Sequence, residues 1–85
     1  MFELISHRRF KKELLKLEFQ IQKRINEVLD KLKAEPRIGE RLSGHPYWRI
    51  RVGDYRIIYE ILDKENKILL IMVGHRKNIY GKINN

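Results

Sequence analysis

The 85-residue chain contains no cysteine and only two prolines. The lack of cysteine excludes disulfide bonds, thiolate catalysis and zinc sites built on cysteine ligands. Long apolar runs are also missing: none approaches the roughly 20 residues that a bilayer-spanning helix needs, and the first residues contain no signal-peptide core. We therefore expect a soluble, cytoplasmic protein that has no membrane partner and is stabilised by packing alone.

Acidic residues and histidines are few and scattered. The chain has 11 Asp and Glu and three His, and no group of them has the spacing of metal ligands. Glycine-rich phosphate-binding loops are missing too. We expect no metal and no cofactor, so any cleavage chemistry would depend on cations and general acid–base groups.

Positive charge is what the chain has in excess. Its 19 Lys and Arg give a formal net charge of +8 and a pI near 10.0. Such a surplus attracts polyanions, of which nucleic acid is the commonest, although an acidic protein or an anionic membrane surface would satisfy the same physics. The length suits one domain, residues 1–85, with a single core, so an active site would be a shallow surface cleft.

Hydrophobic periodicity predicts one strand, two helices and then three strands. Ser6 is a plausible N-cap for the first helix, and Pro36 ends the second. The predicted elements are a strand at 2–5, helices at about 7–17 and 19–34, a loop at 37–46, and strands at 47–52, 55–62 and 67–73. This β-α-α-β-β-β order predicts an α+β fold in which a helical hairpin packs on one face of a mostly antiparallel sheet.

Three arginines are predicted to share one face of a hairpin. If Gly53-Asp54 is a two-residue turn, Arg51 is opposite Arg56, and side-chain alternation adds Arg49 to the same face. Like charges directly opposite each other destabilise a strand pair, whereas guanidinium groups bind phosphate oxygens well. An anion site explains the arrangement better than its alternative, an ordinary solvated polar face.

A second basic cluster follows the last strand and consists of His75, Arg76, Lys77 and Tyr80. Basic residues near aromatic rings suit nucleotides, because bases stack on rings while phosphates meet cations. Strict alternation after a four-residue turn at 63–66 would place His75, rather than Arg76, on the face of Arg56. We therefore expect the strand to end or bulge at Gly74.

Residues 48–59 (WRIRVGDYRIIY) and 73–80 (VGHRKNIY) resemble the signature of the RelE/ParE toxin superfamily. The similarity extends to the first helix and to residues 36–44, and so covers nearly the whole chain. It implies a RelE-like toxin of a toxin–antitoxin pair that enters the ribosomal A site and cleaves messenger RNA by attack of a 2′-hydroxyl on the adjacent phosphate. The implied partners are the ribosome, mRNA and a RelB-like antitoxin, with a free monomer and a hetero-oligomer in complex.

The resemblance also implies site residues. Arg51 and Arg56 would stabilise charge on the phosphorane, Arg76 would lie near the leaving oxygen and Tyr80 would stack on a base. RNA binding would involve Arg49, His75 and Lys77. Family members often carry lysine where this chain has Arg49 and Arg51, and arginine is a poor general base. His75, Lys77 or a water would have to replace it, or the chemistry would depend on charge stabilisation and ribosomal alignment.

Two other interpretations stay open at this point. A ParE-like inhibitor of DNA gyrase would share the fold but cut nothing, and such members generally lack the full arginine and tyrosine set. A nucleic-acid-binding module or decayed toxin would have no activity. Retention of the set favours the nuclease.

Overall fold

A computed structural model describes residues 1–79 as a five-stranded sheet with two helices on one side. The elements are β1 (Glu3–Ser6), α1 (Arg8–Leu15), α2 (Phe19–Ala34), β2 (Glu40–Arg41), β3 (Tyr47–Val52), β4 (Tyr55–Leu62) and β5 (Lys67–His75). The strand order is β1-β5-β4-β3-β2, in which β1 runs parallel to β5 and the other neighbours are antiparallel. The expected α+β class is confirmed. No helix within this range is long and apolar enough to cross a membrane.

The first helix begins one residue later than its sequence signal indicates. Ser6 is the last residue of β1, opposite Leu70, so it does not cap the helix. The N-cap is His7, whose Nδ1 accepts the backbone N–H of Arg9 at 3.1 Å. The parallel ladder with β5 therefore takes precedence over the capping preference of serine. The end of α2 at Ala34, just before Pro36, is as expected.

The core lies between the helices and one face of the sheet, here called the helix face. It contains the buried residues Phe10, Ile25, Leu29, Leu32, Val52, Ile57, Tyr59, Ile68, Leu70 and Val73. Burying side chains of this size contributes about 1.5–3 kcal/mol each. The opposite side, which carries Arg49, Arg51 and Arg56, is the arginine face.

The predicted loop at 37–46 is partly wrong, because it contains the short edge strand β2. Glu40 and Arg41 pair with Arg49 and Trp48 of β3. The chain approaches β3 closely just before this strand: a Cβ on Gly39 would collide with the carbonyl oxygen of Arg49 and with the Tyr59 hydroxyl. That hydroxyl donates to the Pro36 carbonyl at 2.7 Å. A glycine and a buried phenol together hold β2 against the sheet.

The last strand, β5, changes its side-chain phase through one extra residue. Ile58 is opposite Met72, but Tyr59 is opposite Leu70, so Ile71 is a bulge. The expected break in alternation is real, although it lies three residues before Gly74. The strand then ends at His75.

Candidate functional site

The hairpin of β3 and β4 has the predicted register. Gly53, at φ 61°, and Asp54 connect the strands, and Arg51 is directly opposite Arg56. A positive φ is a conformation that glycine adopts without strain. The tight turn therefore brings two arginines to the same row of the arginine face.

Arg56 is buried at 8% exposure, and no other charged side chain among residues 1–79 is buried. Its Nη1 donates to the carbonyls of Gly53 at 3.1 Å and Tyr55 at 3.0 Å. These bonds orient the guanidinium through Nη1. Arg51, in contrast, is exposed. The pair thus combines a buried cation held by backbone carbonyls with an exposed one.

Arg49 lies two residues before Arg51 on the same face of β3 and contacts a carboxylate of β2. Its Nη2 donates to Glu40 Oε2 at 3.0 Å, which joins β3 to β2. A groove of about 220 Å³ beside this ion pair is lined by Ile38, Gly39, Glu40, Arg49, Ile50 and Arg51. The structure therefore brings a carboxylate into the predicted basic site, and nothing in the hairpin pattern of β3 and β4 indicated it.

The basic C-terminal segment returns to the turn that joins the two arginines. The N–H of Arg76 donates to the carbonyl of Asp54 at 2.8 Å. With the bulge at Ile71, Gly74 is opposite Arg56, and the strand ends at His75, so Arg76 lies in the turn that follows and is positioned by this backbone bond rather than by alternation. Tyr80, predicted to stack on a base, lies outside the described residues.

His75 is held by its neighbours rather than left free. Its Nδ1 accepts the N–H of Lys77 at 3.2 Å, and its ring lies edge-on to Tyr55 with 5.5 Å between centroids. An imidazole nitrogen that accepts has no proton, so the neutral ring carries its proton on Nε2. In this arrangement Nε2 donates hydrogen bonds, and a general-base role for His75 would require the ring to break its bond with Lys77.

Two features near the site were not predicted. Ile58, Met72 and Ile79 form a second buried cluster on the arginine face, and Ile79 lies over Gly74. The alternation that placed the arginines also placed Ile58 on this face, so an apolar cover could have been inferred. The guanidinium of Arg24 on α2 is the other feature, since it lies against Gly53. No periodic signal connects a helix residue with that turn.

Within residues 1–79, no three His, Asp or Glu side chains gather closely enough to hold a metal ion. The charged groups on the arginine face include the guanidinium groups of Arg49, Arg51 and Arg56 and the carboxylates of Glu40 and Glu60, whereas His75 is opposite Tyr55 and therefore on the helix face. Such a surface can bind an anion and stabilise added negative charge.

Comparisons with known proteins agree on one family. Residues 4–80 match the family model of the ParE toxin of the type II toxin–antitoxin system parDE. The curated toxin RelE3 of Methanocaldococcus jannaschii is 33% identical over 78 residues, which cover 84% of this chain and 86% of that protein.

Solved structures match over most of their length. One chain belongs to the intact E. coli RelBE toxin–antitoxin complex, with a TM-score of 0.82, 26% identity, and coverage of 88% of this chain and 96% of that one. Another belongs to the RelB–RelE complex of Methanococcus jannaschii, with a TM-score of 0.75, 30% identity, and coverage of 92% and 96%.

Proposed function

Because the chain belongs to the ParE toxin family, within the RelE/ParE superfamily, and is the toxin of a RelBE-type toxin–antitoxin system, we propose that it is a ribosome-dependent endoribonuclease. Its substrate is messenger RNA in the ribosomal A site, and its place of action is the cytoplasm. The reaction is attack of a 2′-hydroxyl on the adjacent phosphorus, which yields a cyclic phosphate and a free 5′-hydroxyl.

One observation carries this proposal: arginine residues from three segments lie at the β3–β4 turn. Arg51 and Arg56 flank the turn, and the backbone of Arg76 is bonded to Asp54 within it. Opposed arginines on a strand pair cost stability. A bound phosphate offsets that cost, because each guanidinium then has an anionic acceptor.

The two arginines divide the work of binding the phosphate. Arg56 is oriented by two carbonyls before RNA arrives, so it stabilises the phosphorane with little reorganisation. Arg51 is exposed and adapts to the backbone of the bound strand. Arg76 acts beside the leaving 5′-oxygen, Tyr80 stacks on a base to hold the geometry, and Arg49, His75 and Lys77 contact the RNA.

The partner that controls this activity is a RelB-like antitoxin. The toxin chain carries a net charge of +8, so an acidic or amphipathic antitoxin segment that covers the arginine face would be attracted to it and would block access of RNA. The same charge disfavours self-association, and we expect the free toxin to be a monomer.

Cleavage of a defined mRNA, mapped by primer extension with and without ribosomes, tests the function. Wild type should cut only when ribosomes are present, and Arg51→Ala should cut at least about 10²-fold more slowly, the loss typical of removing one charge-stabilising donor. Arg41→Ala is the matched control: it is an exposed arginine on β2, opposite Trp48 and therefore directed to the other side of the sheet.

A gyrase supercoiling assay on the same preparations examines the second candidate, which the match to a ParE family model favours. Intact mRNA together with blocked supercoiling would replace the ribonuclease with a gyrase inhibitor. Intact mRNA with normal supercoiling would remove both activities.

A further inference from the structure

The proposed cleavage needs a group that takes the proton of the 2′-hydroxyl, and β2 supplies a carboxylate beside the arginines. Glu40 is paired with Arg49 in the β2–β3 register and thus shares the arginine face. We propose that Glu40 is the general base of the reaction. This inference rests on the proposed ribonuclease function and adds a catalytic residue to it.

The contacts of Glu40 suit a base. Its Oε2 is bound to Arg49 Nη2 at 3.0 Å, while 70% of the side chain is exposed. One oxygen is therefore anchored, and the carboxylate remains accessible to a ligand.

The spacing of Glu40 from Arg51 matches one phosphodiester unit. Arg51 is two residues beyond the partner of Glu40 on β3, and such diagonal neighbours on adjacent strands are about 7–8 Å apart. The groove of about 220 Å³ is lined by both residues. An RNA strand bound there would place a phosphate at Arg51 and the preceding ribose at Glu40.

Other groups near the arginines are less suitable, and His75, opposite Tyr55, lies on the helix face. His75 accepts the N–H of Lys77 through Nδ1, so its Nε2 is a donor when the ring is neutral. Arginine stays protonated. Glu60 shares the arginine face but is opposite Tyr47, four residues along β3 from Arg51 and therefore about 13 Å away.

The proposed step transfers one proton and exchanges one bond. The Glu40 carboxylate takes the 2′-hydroxyl proton as the 2′-oxygen bonds to phosphorus. The bond from phosphorus to the 5′-oxygen breaks, its electron pair leaves with that oxygen, and solvent water protonates it. The products are a 2′,3′-cyclic phosphate and a 5′-hydroxyl, and Glu40 later returns its proton to solvent.

Single-turnover cleavage on programmed ribosomes tests this role. Glu40→Gln keeps the size and an acceptor for Arg49 but removes the base, so the maximal single-turnover rate should fall about 10²-fold or more while the half-saturating concentration changes little. The acid limb of the pH–rate profile, where wild type slows as its base becomes protonated, should disappear. Formate should partly restore cleavage by Glu40→Ala. Asp63→Asn is the matched control. Asp63 forms a comparable exposed ion pair, 2.7 Å from its Oδ2 to Arg37 Nη2, and this pair is not part of the site.

Two results would overturn the assignment while leaving the ribonuclease intact. One is Glu40→Gln cleaving at the wild-type rate. The other is slower cleavage by Glu40→Gln with the wild-type acid limb retained, together with no restoration of Glu40→Ala by formate. Glu40 would then act only through its ion pair with Arg49. Lack of cleavage by wild type itself would instead refute the proposed function.

Discussion

Arg51 and Arg56 are directly opposite each other on antiparallel strands, yet only Arg56 is buried and bonded to backbone carbonyls. The two residues therefore respond differently to substitution. Arg51→Ala removes a like-charge contact, and the free energy of unfolding should stay constant or rise by a few tenths of a kcal/mol. Urea denaturation checks this result. A loss above about 1 kcal/mol would mean that Arg51 has a structural partner.

Arg56→Lys keeps the positive charge but cannot reach both turn carbonyls in the same geometry. The carbonyls of Gly53 and Tyr55 lose a donor, and we expect a loss of about 1–3 kcal/mol in the free energy of unfolding. Cleavage should fall as well, because a lysine is not held in place before RNA binds. Urea denaturation combined with the ribosome assay measures both effects. Wild-type stability would contradict the proposed holding of Arg56 by the turn.

Gly39→Ala should displace β2. The added Cβ overlaps the Arg49 carbonyl and the Tyr59 hydroxyl, so we expect a loss of about 1–3 kcal/mol, the usual cost of overpacking. Cleavage should fall with it, since Glu40 follows directly on this strand. Gly44→Ala is the control: its φ of 78° adds strain, but nothing lies within 4 Å of the new Cβ, and cleavage should be retained. Equal cleavage by both variants would show that the position of β2 does not affect the site.

Tyr59→Phe gives a pH-dependent test of the hydrogen bond by which Tyr59 holds the chain at Pro36, just before β2. Burial raises the pKa of Tyr59 to about 12, while the Gly39 backbone and the Arg37 charge lower it by less. Below about pH 10, the ordinary tyrosine pKa, the variant should be about 1–3 kcal/mol less stable, because the Pro36 carbonyl loses its donor.

Between about pH 10 and 12 the unfolded chain releases the Tyr59 proton while the folded protein retains it, so the stability that Tyr59 contributes is lost as pH rises. The difference in free energy of unfolding between wild type and Tyr59→Phe, measured by urea denaturation, should therefore decrease through this range. The other tyrosines and the lysines affect the free energy of unfolding of both proteins equally, so their contributions cancel in this difference. A difference that stays constant would contradict the raised pKa.

Local pattern was sufficient for much of the fold and of the arginine row. Alternation along 47–52 and 55–62 predicts the register of Arg51 with Arg56, because a two-residue turn leaves a single pairing. The helix face follows from the same alternation. The end of α2 follows from the restricted conformation before Pro36.

The parts of the fold and of the site that the sequence did not predict depend on contacts between distant segments. β2 is two residues long, too short for any periodic signal, and forms because Gly39 and Tyr59 bring it to β3. Its Glu40 was therefore absent from the predicted site. The burial of Arg56 likewise depends on how its own side chain folds back to the turn, which alternation does not describe.

The bulge at Ile71 has a consequence for how this chain tolerates deletion. Everything from Met72 onward owes its side of the sheet to one surplus residue. Loss of the Ile71 codon would make Leu70 and Met72 neighbours, opposite Tyr59 and Ile58, and would leave Val73 opposite Ile57 on the helix face. A one-codon deletion at this point would thus give an unbroken ladder and keep both faces as they are, whereas the same loss from a strand without a bulge would turn every later side chain to the other side.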